Sequence, residues 1–252
     1  MTENDVLEAL ENSGVKRGDT LMIHGDAIVA AQFVGQPLNT RLNILFDLIR
    51  SYLGAPGTLV IPAFTYSATK GETFNVLETQ SEIGQFSEIF RKTYPRNRSQ
   101  HPIFSVIAVG EKQDKFINSS VTDCFGEDTV FHRLYTLDAK LMNLGCDLMQ
   151  TFTHYCEQQF SVSYRYFKEF EGKIVNGNDY RTVNTRYFVG KLNIAYALDL
   201  SNVKSILLEK HLLKCVPFGR FASYTVSARD YYQACIELLT NNEFSLIKEG
   251  SR

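Results

Sequence analysis

Leu141-Met142-Asn143-Leu144-Gly145-Cys146-Asp147-Leu148-Met149-Gln150-Thr151-Phe152-Thr153-His154-Tyr155-Cys156-Glu157 passes from a short apolar run, through a glycine, into an amphipathic segment. The run Lys140–Leu144 reads as a buried strand that stops at Gly145. Gln150, Thr151 and Thr153 each offer a cap for a following helix, whose first turns then carry His154. A strand that hands over to a helix at its C-terminal end is the unit of open α/β sheets, which keep their ligands at that end. Glu157 lies three residues beyond His154, so its carboxylate shares the helix face of the imidazole and can orient it. A lone histidine on a helix is more often a packed structural residue, so the flanking sequence has to decide between the two.

Upstream, Val6, Leu7 and Leu10 follow a Thr2/Asn4 capping region at helical spacing, and Gly14 ends that helix. Thr20-Leu21-Met22-Ile23-His24 is a short buried strand, followed by a loop of small residues to Gly35. Leu42, Leu45, Phe46, Ile49 and Leu53 mark an amphipathic helix stopped by Gly54-Ala55-Pro56-Gly57, and Thr58–Ile61 is the next strand. This is a β-α-β unit, which predicts a parallel pair with a right-handed crossover. The alternation continues with a helix around Phe86, Ile89 and Phe90, a strand at Ser105–Val109, and helices at 112–117 and 130–137 before the quoted strand. Downstream, Lys173–Val175 and Tyr180–Val183 flank Asn176-Gly177 as an antiparallel hairpin. Helices at 203–212 and 228–239, the latter capped by Ser227, complete the chain. The pattern predicts one domain, residues 1–252, of three-layer α/β/α class with a largely parallel or mixed central sheet. The antiparallel hairpin is expected after the helix that carries His154.

A chain of 252 residues with 44% hydrophobic and 21% charged content is an ordinary soluble domain with one core. Its net charge of −2 argues against general nucleic-acid binding. With no leader-like stretch and no run long enough to span a bilayer, a cytoplasmic protein with no membrane partner is expected. Cys124, Cys146, Cys156, Cys215 and Cys235 are odd in number and never spaced as CxxC, which predicts reduced thiols and no metal site.

Several constellations could carry chemistry. Arg91, Lys92, Arg96 and Arg98 precede His101-Pro102. They read either as a solvated helix end or as an edge for a ligand with two or three phosphates. The small side chains of His24-Gly25-Asp26-Ala27 would let a ligand approach the backbone, although the spacing is that of neither a dinucleotide fingerprint nor a P-loop. Tyr164-Arg165-Tyr166-Phe167-Lys168 mixes aromatic faces with cations and could stack a base or a sugar ring; a half-buried hairpin edge is the equal alternative. Cys156 beside His154 could form a thiol nucleophile, but residues two apart on a helix do not face each other.

In order along the chain, His24-Gly25-Asp26, Gly57–Thr65, Gly84 with Phe86, Glu88, Phe90 and Arg98, Ser99-Gln100-His101-Pro102 with Ser105, and Thr151–Glu157 resemble the aminoglycoside 3-N-acetyltransferase (antibiotic N-acetyltransferase) family. The resemblance covers nearly the whole chain. It implies that acetyl-CoA, or another acyl-CoA, meets an amino sugar in a cleft, with His154 as general base. It also implies that coenzyme A lies along His24, Gly25, Asp26 and Ala27 and the His-Pro segment, with Arg98 and His101. The family often has an acidic residue on the hairpin after this histidine. The nearest match is Asn184, so Glu157 and Asn184 are both candidates to orient the base.

Direct transfer needs a base for the amine and a donor for the developing oxyanion; an imidazole with a pKa near ~6.5 supplies the first, typically worth ~10²–10⁴-fold. Thr65 and Ser105 are the hydroxyl candidates for the second. With acidic residues spread along a near-neutral chain, the cationic 91–98 stretch and Tyr164, Arg165, Tyr166 and Lys168 suit an anionic acceptor. A nucleotide-linked (dTDP-type) amino sugar for surface polysaccharide is therefore expected ahead of an aminoglycoside antibiotic. A non-catalytic nucleotide- or sugar-binding protein is the reading from another class, and a homodimer stays open as an assembly.

Overall fold

The computed structural model describes residues 1–148, 150–192 and 195–249. Met149 of the quoted stretch and the end of the 1–252 domain lie outside the described residues. The central sheet is built from β1 (Thr20–Gly25), β2 (Thr58–Pro62), β4 (Val106–Gly110), β5 (Lys140–Leu144), β9 (Lys214–Phe218) and β10 (Phe221–Ser227), in the order β4-β2-β1-β5-β10-β9. A smaller sheet places β3 (Thr73–Asn75) beside the hairpin of β6 (Arg165–Asn176) and β7 (Asp179–Gly190), and β8 (Tyr196–Leu198) pairs with β11 (Ile247–Glu249). The helices are α1 (Glu3–Asn12), α2 (Leu38–Leu53), α3 (Ser67–Lys70), α4 (Gln85–Thr93), α5 (Gln113–Ile117), α6 (Val130–Thr136), α7 (Phe152–Phe160), α8 (Ser201–Glu209) and α9 (Ala228–Asn241).

Strand residues alternate between two cores because successive side chains leave opposite faces of a sheet. Leu21, Ile23, Leu59, Ile61, Ile107, Val109, Met142 and Leu144 pack with α1, α2 and α4. Met22, Val60, Val106, Ala108 and Leu141 pack on the other face with α6, α7, α8 and α9. Helices thus cover both faces of a mixed sheet, as the strand–helix alternation predicts. β1 is parallel to β2 and to β5, with Met22 opposite both Val60 and Leu141. β4 and β10 run antiparallel to the strands they join, so the parallel part is the three-stranded centre.

The hairpin does turn at Asn176-Gly177, but each strand is 12 residues long rather than the short pieces expected. Charged residues are interleaved along its outer half, which hides strand periodicity from a reading of apolar pattern. α7 also begins differently: the side chain of Thr151, the residue before it, makes no capping bond, and the Thr153 hydroxyl pairs with Tyr231 Oη instead.

Candidate active site

The C-terminal ends of β1, β2 and β5 open into a cleft of about 1010 Å³. Its floor is His24–Ala27, Pro62, Phe64 and Cys146–Leu148, and its sides are Tyr66, the start of α4 at Gly84–Ser87, the start of α7 with Thr151 and His154, and Leu198–Lys204. Two glycines make this junction possible. At Gly25 a Cβ would fall 2.6 Å from the Phe86 ring, so only glycine lets the end of β1 lie against α4. Gly145 takes φ +74°, a conformation that costs other residues, and a Cβ there would run into Val29.

His154 lies in the first turn of α7, with its side chain 20% exposed and directed to the cleft wall. Its Nδ1 is 2.6 Å from Glu157 Oε2, on a carboxylate that is 0% exposed. The i, i+3 spacing gives this contact directly. Glu157 has two more partners from the start of the hairpin: Tyr164 Oη donates to Oε1 at 2.8 Å, and Arg165 Nε stands 2.8 Å from Oε2. Burial opposes the carboxylate's charge, but His154, Arg165 and Tyr164 outweigh it and hold the Glu157 carboxyl below the usual range. An ionised carboxylate only accepts, so Nδ1 carries the hydrogen and Nε2 keeps its lone pair for a proton. Burial, and then the Arg165 cation, push His154 below the ordinary imidazole value, against the pull of Glu157. The imidazole is therefore neutral at physiological pH.

The charged lining of the cleft, among the described residues, is Asp26, Asp147, Asp199 and Lys204. Lys204 Nζ pairs with Asp147 Oδ1 at 2.7 Å and lies 4.4 Å from the Tyr224 ring centre. Asp199 Oδ2 in turn faces Lys248 Nζ at 3.5 Å from outside the lining, so the lining itself carries three carboxylates and one ammonium, with two of the carboxylates lysine-paired. Sequence reading missed this because the four residues lie in three separate segments, each unremarkable alone. Among the described residues, no group of three or more His, Cys, Asp or Glu could hold a metal ion.

The structure brings some of the expected residues together and disperses others. His24, Gly25, Asp26 and Ala27 line the cleft with His154. His24 is pushed down to about 4 by burial, so it is neutral at pH 7 and offers no charge to a phosphate. Thr65, Arg98, His101 and Ser105 are buried behind the wall. Arg98, 1% exposed, donates to the carbonyls of Ala63, Val76 and Thr79 and to Ser105 Oγ. Ser105 Oγ itself donates to Ala63 O, and Thr65 Oγ1 to Pro102 O. His101 Nδ1 accepts from the Ile103 and Phe104 amides, and its Nε2 donates to Asp123 O. These four therefore brace the loop between α4 and β4 instead of facing a ligand.

The cationic stretch is likewise not a phosphate edge. Arg91 forms a buried pair with Glu88 at 2.8 Å, while Lys92 and Arg96 are exposed away from the cleft. Tyr164 and Arg165 turn inward to Glu157, leaving Tyr166 and Lys168 exposed on the hairpin outside the cleft. Asn184 is an exposed residue of β7 opposite Glu171. It sits six residues, roughly 20 Å of strand, from the end at Gly190 that pairs with Arg165. Glu157, not Asn184, is the group at the imidazole. Cys156 is fully buried, its thiol donating to Phe152 O and pushed well above its ordinary value by burial. It cannot serve as a nucleophile from there.

A family model described as aminoglycoside 3-N-acetyltransferase matches residues 22–240. The chain is 24% identical over 170 residues to the SPbeta prophage-derived aminoglycoside N(3')-acetyltransferase-like protein YokD of Bacillus subtilis (strain 168), a match covering 58% of this chain and 60% of that protein. It is 25% identical over 198 residues to aminoglycoside N(3)-acetyltransferase VIII of Streptomyces fradiae, covering 70% and 68% of the two chains. The first of these matches thus spans less than two thirds of the relative's own length. In fold, the chain resembles the solved structure described as AAC-IIIb binary with CoASH, with a TM-score of 0.77 at 17% identity over 100% of this chain and 98% of that one.

Proposed function

We propose, because this chain belongs to the aminoglycoside 3-N-acetyltransferase family, that it is an acyl-CoA-dependent N-acyltransferase whose acceptor is a cationic amino sugar of the aminoglycoside class. The observation that carries the reading is one arrangement: a histidine held by a buried carboxylate at 2.6 Å, on the wall of a large cleft whose charged groups are mostly acidic. An amine attacks a thioester only when neutral. His154 Nε2 takes a proton from the acceptor amine as its nitrogen bonds to the thioester carbonyl carbon. The carbonyl becomes an oxyanion, which collapses to the amide as the C–S bond breaks. The proton on His154 then passes to the departing thiolate. Glu157 holds the ring throughout both transfers. No covalent enzyme intermediate is needed, in keeping with the burial of Cys156.

The acidic wall supports a polycation. Asp26, together with Asp147 and Asp199 in exchange for their Lys204 and Lys248 partners, would pair with ammonium groups that the reaction leaves untouched. The expectation of a nucleotide-linked acceptor rested on the 91–98 cations and the 164–168 aromatics. With Arg91, Arg98, Tyr164 and Arg165 committed inside the protein, that charge argument lapses. The acyl donor is read as acetyl-CoA, since the family is described as an acetyltransferase and a structural relative is described with CoASH bound. A thiol-release assay with acetyl-CoA and parallel panels of aminoglycosides and nucleotide-linked amino sugars tests this reading. Turnover confined to the nucleotide sugars would refute the cationic acceptor, and release with neither panel would refute the activity.

A further inference from the structure

We propose that Arg165 is a positioning residue that offsets the charge of Glu157, so that the carboxylate orients His154 without holding a proton on it. The proposal rests on the reading of His154 as the base. A carboxylate alone beside an imidazole favours the protonated ring, and a ring that already holds a proton cannot take one from an amine. Orientation by Glu157 therefore carries a cost that something must cancel.

The geometry cancels it almost completely. Arg165 Nε stands 2.8 Å from Glu157 Oε2, the same oxygen that accepts from Nδ1, and Arg165 Nη2 stands 2.8 Å from Nδ1 itself. A guanidinium only donates, so beside a hydrogen-bearing Nδ1 it acts by charge and not by a bond. The ring thus meets one negative charge at 2.6 Å and one positive charge at 2.8 Å. Coulomb terms at such similar distances nearly cancel whatever the local dielectric. What remains is burial, which favours the neutral ring, set against the weaker pull of the Nδ1–H bond to Glu157.

Arg165 cannot swing away to leave Glu157 unopposed. It is 8% exposed, it starts β6, and its Nη1 donates across the hairpin to Phe188 O on β7 at 3.0 Å. The hairpin is thereby tied into the site as the element that delivers the cation. Other groups packed around the ring change this balance little. Tyr164 and Tyr187 have phenols pushed up by burial and stay neutral, and Phe125 meets the ring at 5.9 Å. Asp123, on the segment carrying Phe125, is paired with Arg186 at 2.6 Å. On the cleft side, Asp147 is paired with Lys204 and Asp199 with Lys248, and Asp26 lies on the same wall.

The test is an NMR titration of the His154 imidazole in the intact protein without substrate, its signal assigned by its loss in His154→Gln. The acidic limb of the kcat/KM profile is measured in parallel. In Arg165→Met the imidazole pKa should rise by about one unit or more, with the acidic limb moving up equally; one unit means a tenfold loss at a pH below the limb that is recovered above it. Arg165→Lys should keep both near wild type. The double variant Glu157→Gln/Arg165→Met should bring the pKa back down. If Arg165→Met does not fold, Arg165→Gln is read in the same way. A loss of activity equal at every pH, with the His154 titration unmoved, would overturn the proposal, as would a lysine variant that fails to restore the pKa. Because the titration needs no substrate, a missing acyltransferase activity would sink the functional reading while this result still decides the role of Arg165.

Discussion

Replacing Glu157 by glutamine keeps the shape of a fully buried side chain and removes only its charge. One carboxylate oxygen takes His154 Nδ1 at 2.6 Å and Arg165 Nε at 2.8 Å, and the other takes Tyr164 Oη at 2.8 Å. The amide can still accept from Nδ1, and its NH2 can donate to Tyr164 once that hydroxyl reverses. What it cannot do is balance the Arg165 cation, which then opposes the imidazolium unchecked. Of the ~10²–10⁴-fold that a general base contributes, we expect roughly 10²-fold to be lost from kcat. KM for acetyl-CoA should stay level, since Glu157 is 0% exposed and touches no ligand. Stability should fall as well, because breaking a buried ion pair leaves an uncompensated charge worth about 3 kcal/mol. For a chain of this size that is a drop of roughly 6–12 °C in Tm. Thiol release under saturating acetyl-CoA, with a melting curve on the same sample, measures both. A kcat within about threefold of wild type would refute the orienting role, even if the Tm fell as expected.

Four further outcomes follow from the same geometry. His154→Ala should lose most of the ~10²–10⁴-fold that a base supplies while remaining folded and able to bind CoA, because the ring is partly exposed; near-normal turnover would remove it from the mechanism. Cys156→Ala should keep substantial activity, and an acylated Cys156 detected by mass spectrometry with activity lost would defeat direct transfer. Asp147→Asn and Asp199→Asn should raise KM for a polycationic acceptor more than for acetyl-CoA, with the wild-type acceptor KM climbing with salt; equal changes in both KM values would count against an acidic acceptor wall. The last concerns pH and stability. His101, lowered by burial to about 4, is neutral in the folded protein and accepts two backbone amides through Nδ1, so protonation would cost both bonds. Its folded value lies below the ordinary 6.5, so the unfolded chain binds more protons between those limits. Stability should therefore be full above about pH 6.5 and fall toward pH 4, by up to ~1.4 kcal/mol per pH unit from this group. A Tm flat across that window would show that His101 does not titrate as its contacts require.

Local spacing carried the features that a sequence can determine by itself. Apolar runs five residues long, glycine stops and helical periodicity encode the strand–helix alternation, because each depends only on residues close in the chain. The His154–Glu157 contact was legible for the same reason, since three residues along a helix bring two side chains together without help from the rest of the fold. Strand direction at β4 and β10 was not legible, because an apolar run reads the same in either sense. Side-chain direction was not legible either. Arg91 and Arg98 looked like a cationic edge, yet the fold turns them onto Glu88 and onto the carbonyls of Ala63, Val76 and Thr79. The acidic wall gathers Asp26, Asp147 and Asp199 from segments over a hundred residues apart in part, and Arg165 reaches His154 only because the hairpin folds back beside α7. Contacts of that range exist only once the chain has closed on itself, which is why the tertiary structure alone decided the charges that line the cleft and the cation beside His154.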